Sequence, residues 1–225
     1  MCGRYFRRSD KQRLAEAFHT GLPTSFDILT SYNVAPQSFQ PVIRLSAETG
    51  HREFAQMRWG LIPFWSKDAK VGYSTINAKA ETVATSPLYR EALKRRRCLV
   101  PADGFYEWQK IDAKTKQPYA IALTDGAPLA FAGLWERWVD KVTNQPLETY
   151  TIITTEPNEL TSTIHNRMPV ILAPKDYERW MAPADPAQLP VDLLRPYDAD
   201  KMMTWKVGKD VGNIRNNGPT VCEPA

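Results

Sequence analysis

The sequence predicts an α+β fold: a single domain over residues 1–225, built on curved, mainly antiparallel, barrel-like β-sheet with short helices at its periphery. Three observations carry this expectation. Strand-like segments follow one another at residues 98–100, 105–110, 119–123, 129–139 and 148–154, separated by Gly, Asp, Asn or Pro turns. They do not alternate regularly with helices, which excludes a doubly wound parallel sheet. The chain has 225 residues, 43% of them hydrophobic, enough to bury one substantial core.

Taken in order, residues 9–18 read as a short helix, with Ser9 or Asp10 as N-cap and Leu14 and Phe18 on one face. A loop containing Pro and Thr follows and ends in Tyr32-Asn33-Val34-Ala35-Pro36. Residues 42–45 and 54–59, with a turn around Glu48-Thr49-Gly50, read as a hairpin. Next comes an aromatic loop punctuated by Gly and Pro, Trp59-Gly60-Leu61-Ile62-Pro63-Phe64-Trp65. Residues 74–76 read as a strand leading into Asn77-Ala78-Lys79-Ala80-Glu81-Thr82. Ser86-Pro87 has the N-cap and N1 chemistry of a helix running to about Arg96. After the strand-rich centre, residues 156–162 suggest a short helix and 168–172 a strand. Pro174 opens a helix through Met181, and a second helical stretch surrounds Leu193. Residues 203–207 form the last strand, before Gly212-Asn213-Ile214-Arg215-Asn216-Asn217-Gly218.

Composition narrows the function classes. No apolar run approaches the ~20 residues needed to span a bilayer, and the N-terminus lacks a signal-peptide core, so a cytoplasmic protein is expected. The cysteines Cys2, Cys98 and Cys222 are odd in number and widely spaced, which argues against a disulfide framework. His19, His51 and His165 make no zinc-like pattern, so no metal and no cofactor are expected. A net charge of +4 permits an anionic partner such as nucleic acid.

Several groups could carry chemistry. Cys2 directly follows the initiator Met1, and removal of Met1 would leave one residue with both an α-amine and a thiol. These titrate near ~8 and ~8.5, and a 1,2-aminothiol closes onto aldehydes as a thiazolidine. The other reading of Cys2 is an inert buried hydrophobe. Glu107, within Gly104-Phe105-Tyr106-Glu107-Trp108, is either a desolvated general acid-base or a carboxylate facing water. His165, in Ile164-His165-Asn166-Arg167-Met168-Pro169, is suited to proton transfer but could equally be structural. Asn77 could orient an amine or thiol, or simply make a turn. Arg4, Lys79, Arg167 and the run Lys94-Arg95-Arg96-Arg97, together with Trp59, Phe64 and Trp65, suit single-stranded nucleic acid. That basic run is also explained as a solvated helix end, and the tryptophans as core.

Six motifs in order then carry a resemblance: Met1-Cys2-Gly3-Arg4-Tyr5, Tyr32 to Pro36, Trp59 to Pro63, Asn77 to Thr82, Pro101-Ala102-Asp103-Gly104-Phe105-Tyr106-Glu107-Trp108, and His165 to Pro169. Together they resemble the SRAP family, the SOS-response-associated peptidases, which includes abasic-site shielding proteins of the DNA damage response. The likeness runs from Cys2 to the region of Val211-Gly212-Asn213. It implies binding to single-stranded DNA carrying an abasic site, as a monomer and at single-strand/double-strand junctions. It also implies a thiazolidine crosslink between Cys2 and the ring-opened aldehyde, by lyase-like imine chemistry. Asn77 would orient Cys2, while Glu107 and His165 would move protons. Arg4, Asn33, Lys79, Thr154 and Arg167 would contact the DNA backbone or lesion, and Pro36 and Trp65 would wedge against a duplex end. Release of Met1 by self-cleavage accounts for the peptidase name.

Two departures bear on DNA affinity. Lys79 stands where many relatives carry Arg, losing a bidentate fork for phosphate. Pro87 stands where some carry a basic residue. Two other functions remain open to the sequence: a cysteine peptidase or amidohydrolase acting in trans with His165 as base, and a non-covalent single-strand binding module in which Cys2 is incidental.

Overall fold

The computed structural model describes residues 2–183, 185 and 188–225; Met1, and with it the expected release of that residue, lies outside them. In chain order the strands are β1 Tyr5–Arg7, β2 Ser31–Val34, β3 Phe39–Leu45, β4 Arg52–Trp59, β5 Asn77–Lys79, β6 Arg97–Ala102 and β7 Gly104–Lys110. They continue with β8 Lys116–Leu123, β9 Leu129–Val139, β10 Pro146–Thr155, β11 Met168–Pro169, β12 Ile171–Leu172 and β13 Met202–Lys206. The α-helices are short: α1 Lys11–Phe18, α2 Arg90–Arg95, α3 Glu159–Ser162 and α4 Tyr177–Met181.

Pairing explains the curvature. The strands β10, β4, β3, β6 and β9 neighbour one another in that order, and β9 pairs back onto β10, so this part of the sheet closes on itself. Closure removes free edges, as a barrel does. Among the described residues the parallel pairings are those of β10 with β4 and with β5. A second sheet, in the order β13-β8-β7-β1-β2, is antiparallel at every step. The expected fold class is therefore borne out.

A core cluster between the sheets contains Tyr5, Val34, Met57, Trp59, Val100, Phe105, Phe131, Tyr150 and Ile152. Helices cover the closed sheet's outer side: Leu14 and Phe18 of α1, Leu93 of α2 and Trp180 of α4 share another cluster with Leu99 and Ile153. Burying Leu14 and Phe18, both fully enclosed, is worth roughly 1.5–3 kcal/mol each. Asp10 caps α1 by accepting from Arg13 N at 2.9 Å.

Several local expectations are corrected. Tyr5–Arg7 and Ser31–Val34 are strands, held by tertiary pairing with β7 and with each other, although neither is long enough to show a pattern. The strand expected at residues 74–76 lies at Asn77–Lys79, so Asn77 is a strand residue, not a turn residue. The helix expected from Ser86 starts at Arg90. Ser86 Oγ does accept from Leu88 N at 3.3 Å, but the intervening residues form turns. Residues 168–172 are two short strands, because the chain leaves β10 after Pro169 and joins β9 at Ile171. Within the run Lys94 to Arg97, Arg97 is buried and donates to Lys94 O and Trp180 O, satisfying the ends of α2 and α4. Among the described residues no helix is long and apolar enough to cross a membrane.

Candidate active site

The N-terminal segment reaches its neighbours through backbone pairing. β1 runs antiparallel to β7 with Tyr5 opposite Phe105, and Tyr106 N donates to Arg4 O at 3.0 Å. Continuing that register would set Gly3 opposite Glu107 and Cys2 opposite Trp108. Cys2 is completely buried in the inter-sheet cluster with Ile164 and Met168, the residues that bracket the His165 loop. Burial first, and the charge of Glu107 second, push the Cys2 thiol well above the usual thiol range.

Glu107 is 3% exposed, which settles that it does not face water. Desolvation raises its carboxyl from 4.5 to about 7. His165 Nε2 stands 4.0 Å from Glu107 Oε2. The ring's other nitrogen, Nδ1, faces the Arg167 backbone, 3.0 Å from its N and 3.2 Å from its carbonyl oxygen, so the neutral imidazole can carry its proton on either nitrogen. Burial lowers the His165 pKa, favouring that neutral form. The loop is tied to β7 as well: Gln109 Nε2 donates to Thr163 O at 2.7 Å, and Tyr119 OH donates to Gln109 Oε1 at 3.2 Å. Gln109 was not anticipated from sequence; its position two residues after Glu107, on the same strand face, was the available signal.

Asn77 opens β5 and lies opposite Ile152 of β10. Its Nδ2 donates to Ile76 O at 3.0 Å, and the fully buried Trp59 donates to the same carbonyl through Nε1 at 2.9 Å. Asn77 Oδ1 is buried and has no hydrogen-bond partner among the described residues. Ile76 and Ile152 both pack in the Cys2 cluster. The structure thus brings Cys2, Glu107 and His165 together, with Asn77 on β5 of the other sheet, next to residues of the same core.

The remaining candidates fall into three places. Arg4 Nη1 donates to Asn33 Oδ1 at 2.8 Å, while Asn33 Nδ2 donates to the carbonyls of Val211, Asn213 and Asn216. Asn33 is 5% exposed and its amide is spent within the protein. At the ends of β5 and β10, Lys79 is exposed opposite the buried Thr154, whose carbonyl accepts from Arg167 Nη2 at 2.6 Å. Pro36 and Trp65 lie on loops fastened to each other's base. Ser38 N closes a turn onto Ala35 O, Gln37 takes a left-handed φ of 70°, and its Nε2 donates to Trp59 O and to Gly72 O. Phe64 and Trp65 are about half exposed beyond that clamp, while Trp138 Nε1 anchors Ser66 O behind them. Among the described residues no group of three or more His, Cys, Asp or Glu could hold a metal ion.

Fold and site together define a class: an α+β protein of curved antiparallel sheet, with a thiol, a carboxyl and an imidazole gathered where its first strand begins. Residues 1–214 match the family model described as SOS response associated peptidase (SRAP), and the chain belongs to that family. Abasic site processing protein YoqW of Bacillus subtilis is 44% identical over 227 residues, covering 99% of both chains. Abasic site processing protein HMCES of Gallus gallus is 34% identical over 224 residues, spanning 86% of this chain and 66% of that one. A crystal structure of a protein from Bacteroides thetaiotaomicron superposes with a TM-score of 0.88 at 30% identity, covering all of both chains.

Proposed function

We propose that this protein processes abasic sites in DNA, and that it does so by bonding to them through Cys2. Membership in the SRAP family and the names of the relatives support abasic-site processing. The covalent route is argued from chemistry. Met1 leaves first, by self-cleavage, and frees the α-amine of Cys2. The amine attacks the aldehyde carbon of the ring-opened sugar and expels water, giving an imine. The thiol sulfur then bonds to the same carbon while its proton leaves and the nitrogen becomes the ring amine of a thiazolidine. No electrons are exchanged with a third party, so no redox partner is required.

Each step needs proton transfers near neutral pH. A carboxyl at about 7 can take the thiol proton and return it to nitrogen or departing water, which suits Glu107. His165, neutral at rest, takes up a proton from the Glu107 carboxyl or solvent, gives it as imidazolium to the sugar oxygen when the ring opens, and returns to its neutral form. Asn77, whose Oδ1 has no hydrogen-bond partner among the described residues, orients Cys2. Arg4, Lys79 and Arg167 hold phosphates, with Asn33 and Thr154 fixing the first and third of these cations. Pro36 and Trp65 wedge against a duplex end. The whole chain acts as one SRAP unit, as a monomer on single-stranded DNA in the cytoplasm.

The observation that carries this reading is the buried Glu107 carboxyl, 4.0 Å from His165 and raising the pKa of the Cys2 thiol. A peptidase acting in trans through Cys2 is disfavoured by the same observation, since it needs a preformed thiolate, which burial and the Glu107 charge both oppose. The decisive experiment incubates the mature protein with an abasic oligonucleotide and reads intact mass. An adduct that disappears in Cys2→Ala, and becomes a short-lived imine-like link in Cys2→Ser, supports the proposal; no adduct from the wild type ends it.

A further inference from the structure

Arg167 is the most heavily engaged of the cations assigned to the strand. Its guanidinium makes a bidentate pair with Glu81, through Nη1 to Oε1 and through Nη2 to Oε2 at 3.0 Å. Nη2 also donates to Thr154 O at 2.6 Å, and the backbone N of Arg167 donates to His165 Nδ1. Glu81 sits in the turn after β5, where Thr82 N bonds Lys79 O at 3.1 Å and Ala80 N bonds Thr154 O at 2.8 Å. The pair is lopsided: the Arg167 side chain is 17% exposed and the Glu81 side chain 52%.

Three points follow from that geometry. The carboxylate presents two oxygens in one plane to the guanidinium fork, the arrangement a phosphate also presents. Glu81 occupies the solvent side of Arg167, which is the side a strand would approach. The Arg167 guanidinium is also held from the protein side, where Nη2 donates to Thr154 O at 2.6 Å and to Thr154 Oγ1 at 3.4 Å.

We propose that Glu81 is a built-in competitor for the DNA phosphate at Arg167, a specificity-determining residue that weakens reversible binding to undamaged strands. The proposal rests on the reading of Arg167 as a phosphate contact. Its functional sense lies in the order of events. Reversible binding to phosphates cannot tell a lesion from intact DNA, whereas a covalent bond to an aldehyde can. A carboxylate that must be displaced for each encounter lowers the residence time on intact strands, and the covalent step at a lesion makes that loss irrelevant. The bond from Arg167 is the main cause that lowers the Glu81 pKa and keeps the carboxylate ionised.

The test uses the full chain and an intact single-stranded oligonucleotide, with affinity read by fluorescence anisotropy across a salt series. Glu81→Gln keeps the size and polarity of the side chain and removes its charge. Binding should tighten about three- to fivefold, the scale of one part-exposed ion pair. The log–log salt slope should steepen by up to ~0.7, the increment for one more phosphate neutralised on a single strand. Arg167→Gln should weaken binding, and the double variant should match Arg167→Gln, with the gain from Glu81→Gln abolished. If Arg167→Gln weakens binding while Glu81→Gln leaves it unchanged or weaker, Glu81 is a structural clamp and the inference is overturned. If Arg167→Gln leaves affinity unchanged, the phosphate reading of Arg167 itself fails and the competitor falls with it.

Discussion

His165 presents Nε2 to Glu107 Oε2 at 4.0 Å, and the ring is anchored from its other nitrogen by the Arg167 N–H. The relationship spans two elements that are distant in sequence, a loop after α3 and the strand β7. It sets the working range of the proposed chemistry, because the carboxyl is desolvated and its neighbour is neutral.

The first prediction concerns rate against pH. Glu107 is raised to about 7 by burial, so it becomes a base as the pH passes that value. Adduct formation by the wild type should therefore fall as pH drops through about 7. Glu107→Gln should slow it on the order of a hundredfold, typical for loss of a positioned proton carrier. The variant's remaining pH dependence should move toward the free amine near ~8. Single-turnover gel assays between pH 5.5 and 9 would measure this, and an unchanged inflection in the variant would refute the role.

The same carboxyl has a cost in stability. Its folded-state pKa lies above its ordinary value of 4.5, so between 4.5 and about 7 the folded chain binds a proton that the unfolded chain has lost. Stability from this group is fully present below 4.5 and is lost as pH rises through about 7. The loss is on the order of 3 kcal/mol. Glu107→Gln should remove it, so the variant should melt several degrees above the wild type at pH 8 and close to it at pH 4.5. A melting difference that does not vary with pH would show that the carboxyl is not held neutral.

Much of this organisation was readable before the fold. Long strands such as β9 and the β3–β4 hairpin announce themselves by apolar runs and turn residues, which are local signals. Tyr5–Arg7 and Ser31–Val34 do not, because three or four residues carry no periodicity and their strand geometry comes from partners elsewhere. Ser86-Pro87 misled for the opposite reason: its local helix-start chemistry is overridden by turns that delay α2 to Arg90. In the site, Cys2, Glu107 and His165 were legible as types that do chemistry. The Glu81–Arg167 pair and the Asn33 ties were not, since they join residues 86 and about 180 positions apart.

Asn33 provides a third prediction. Its amide accepts from Arg4 and donates to three carbonyls of the C-terminal segment, at Val211, Asn213 and Asn216. Asn33→Ala should destabilise the protein by about 2–4 kcal/mol, since several buried bonds are lost together and the carbonyls stay partly desolvated. Chemical denaturation should show a lower midpoint with little change in slope, and protease cleavage should appear near residues 211–216. DNA affinity should fall as well, through release of Arg4. A variant with native stability but weak DNA binding would mean that Asn33 touches the strand directly.

The last prediction tests the base of the aromatic loop. Gly60 has a φ of 122°, a region that side-chain-bearing residues rarely enter. A Cβ there would collide with the Gly72 carbonyl and stand 2.5 Å from Gln37 Nε2. Neither obstacle can move freely, because Gln37 Nε2 itself bonds Gly72 O at 2.9 Å and Trp59 O at 3.2 Å. Gly60→Ala must therefore open the clamp that joins the Pro36 turn to the loop bearing Phe64 and Trp65. Strain and lost bonds together should cost about 2–4 kcal/mol. The effect on function should be selective: discrimination between a junction and a plain single strand should be lost, while adduct formation on a single strand survives at a temperature where the variant is folded. Comparing adduct yields on the two substrates measures this. Equal preference for the junction in wild type and variant would place the wedge somewhere other than Pro36 and Trp65.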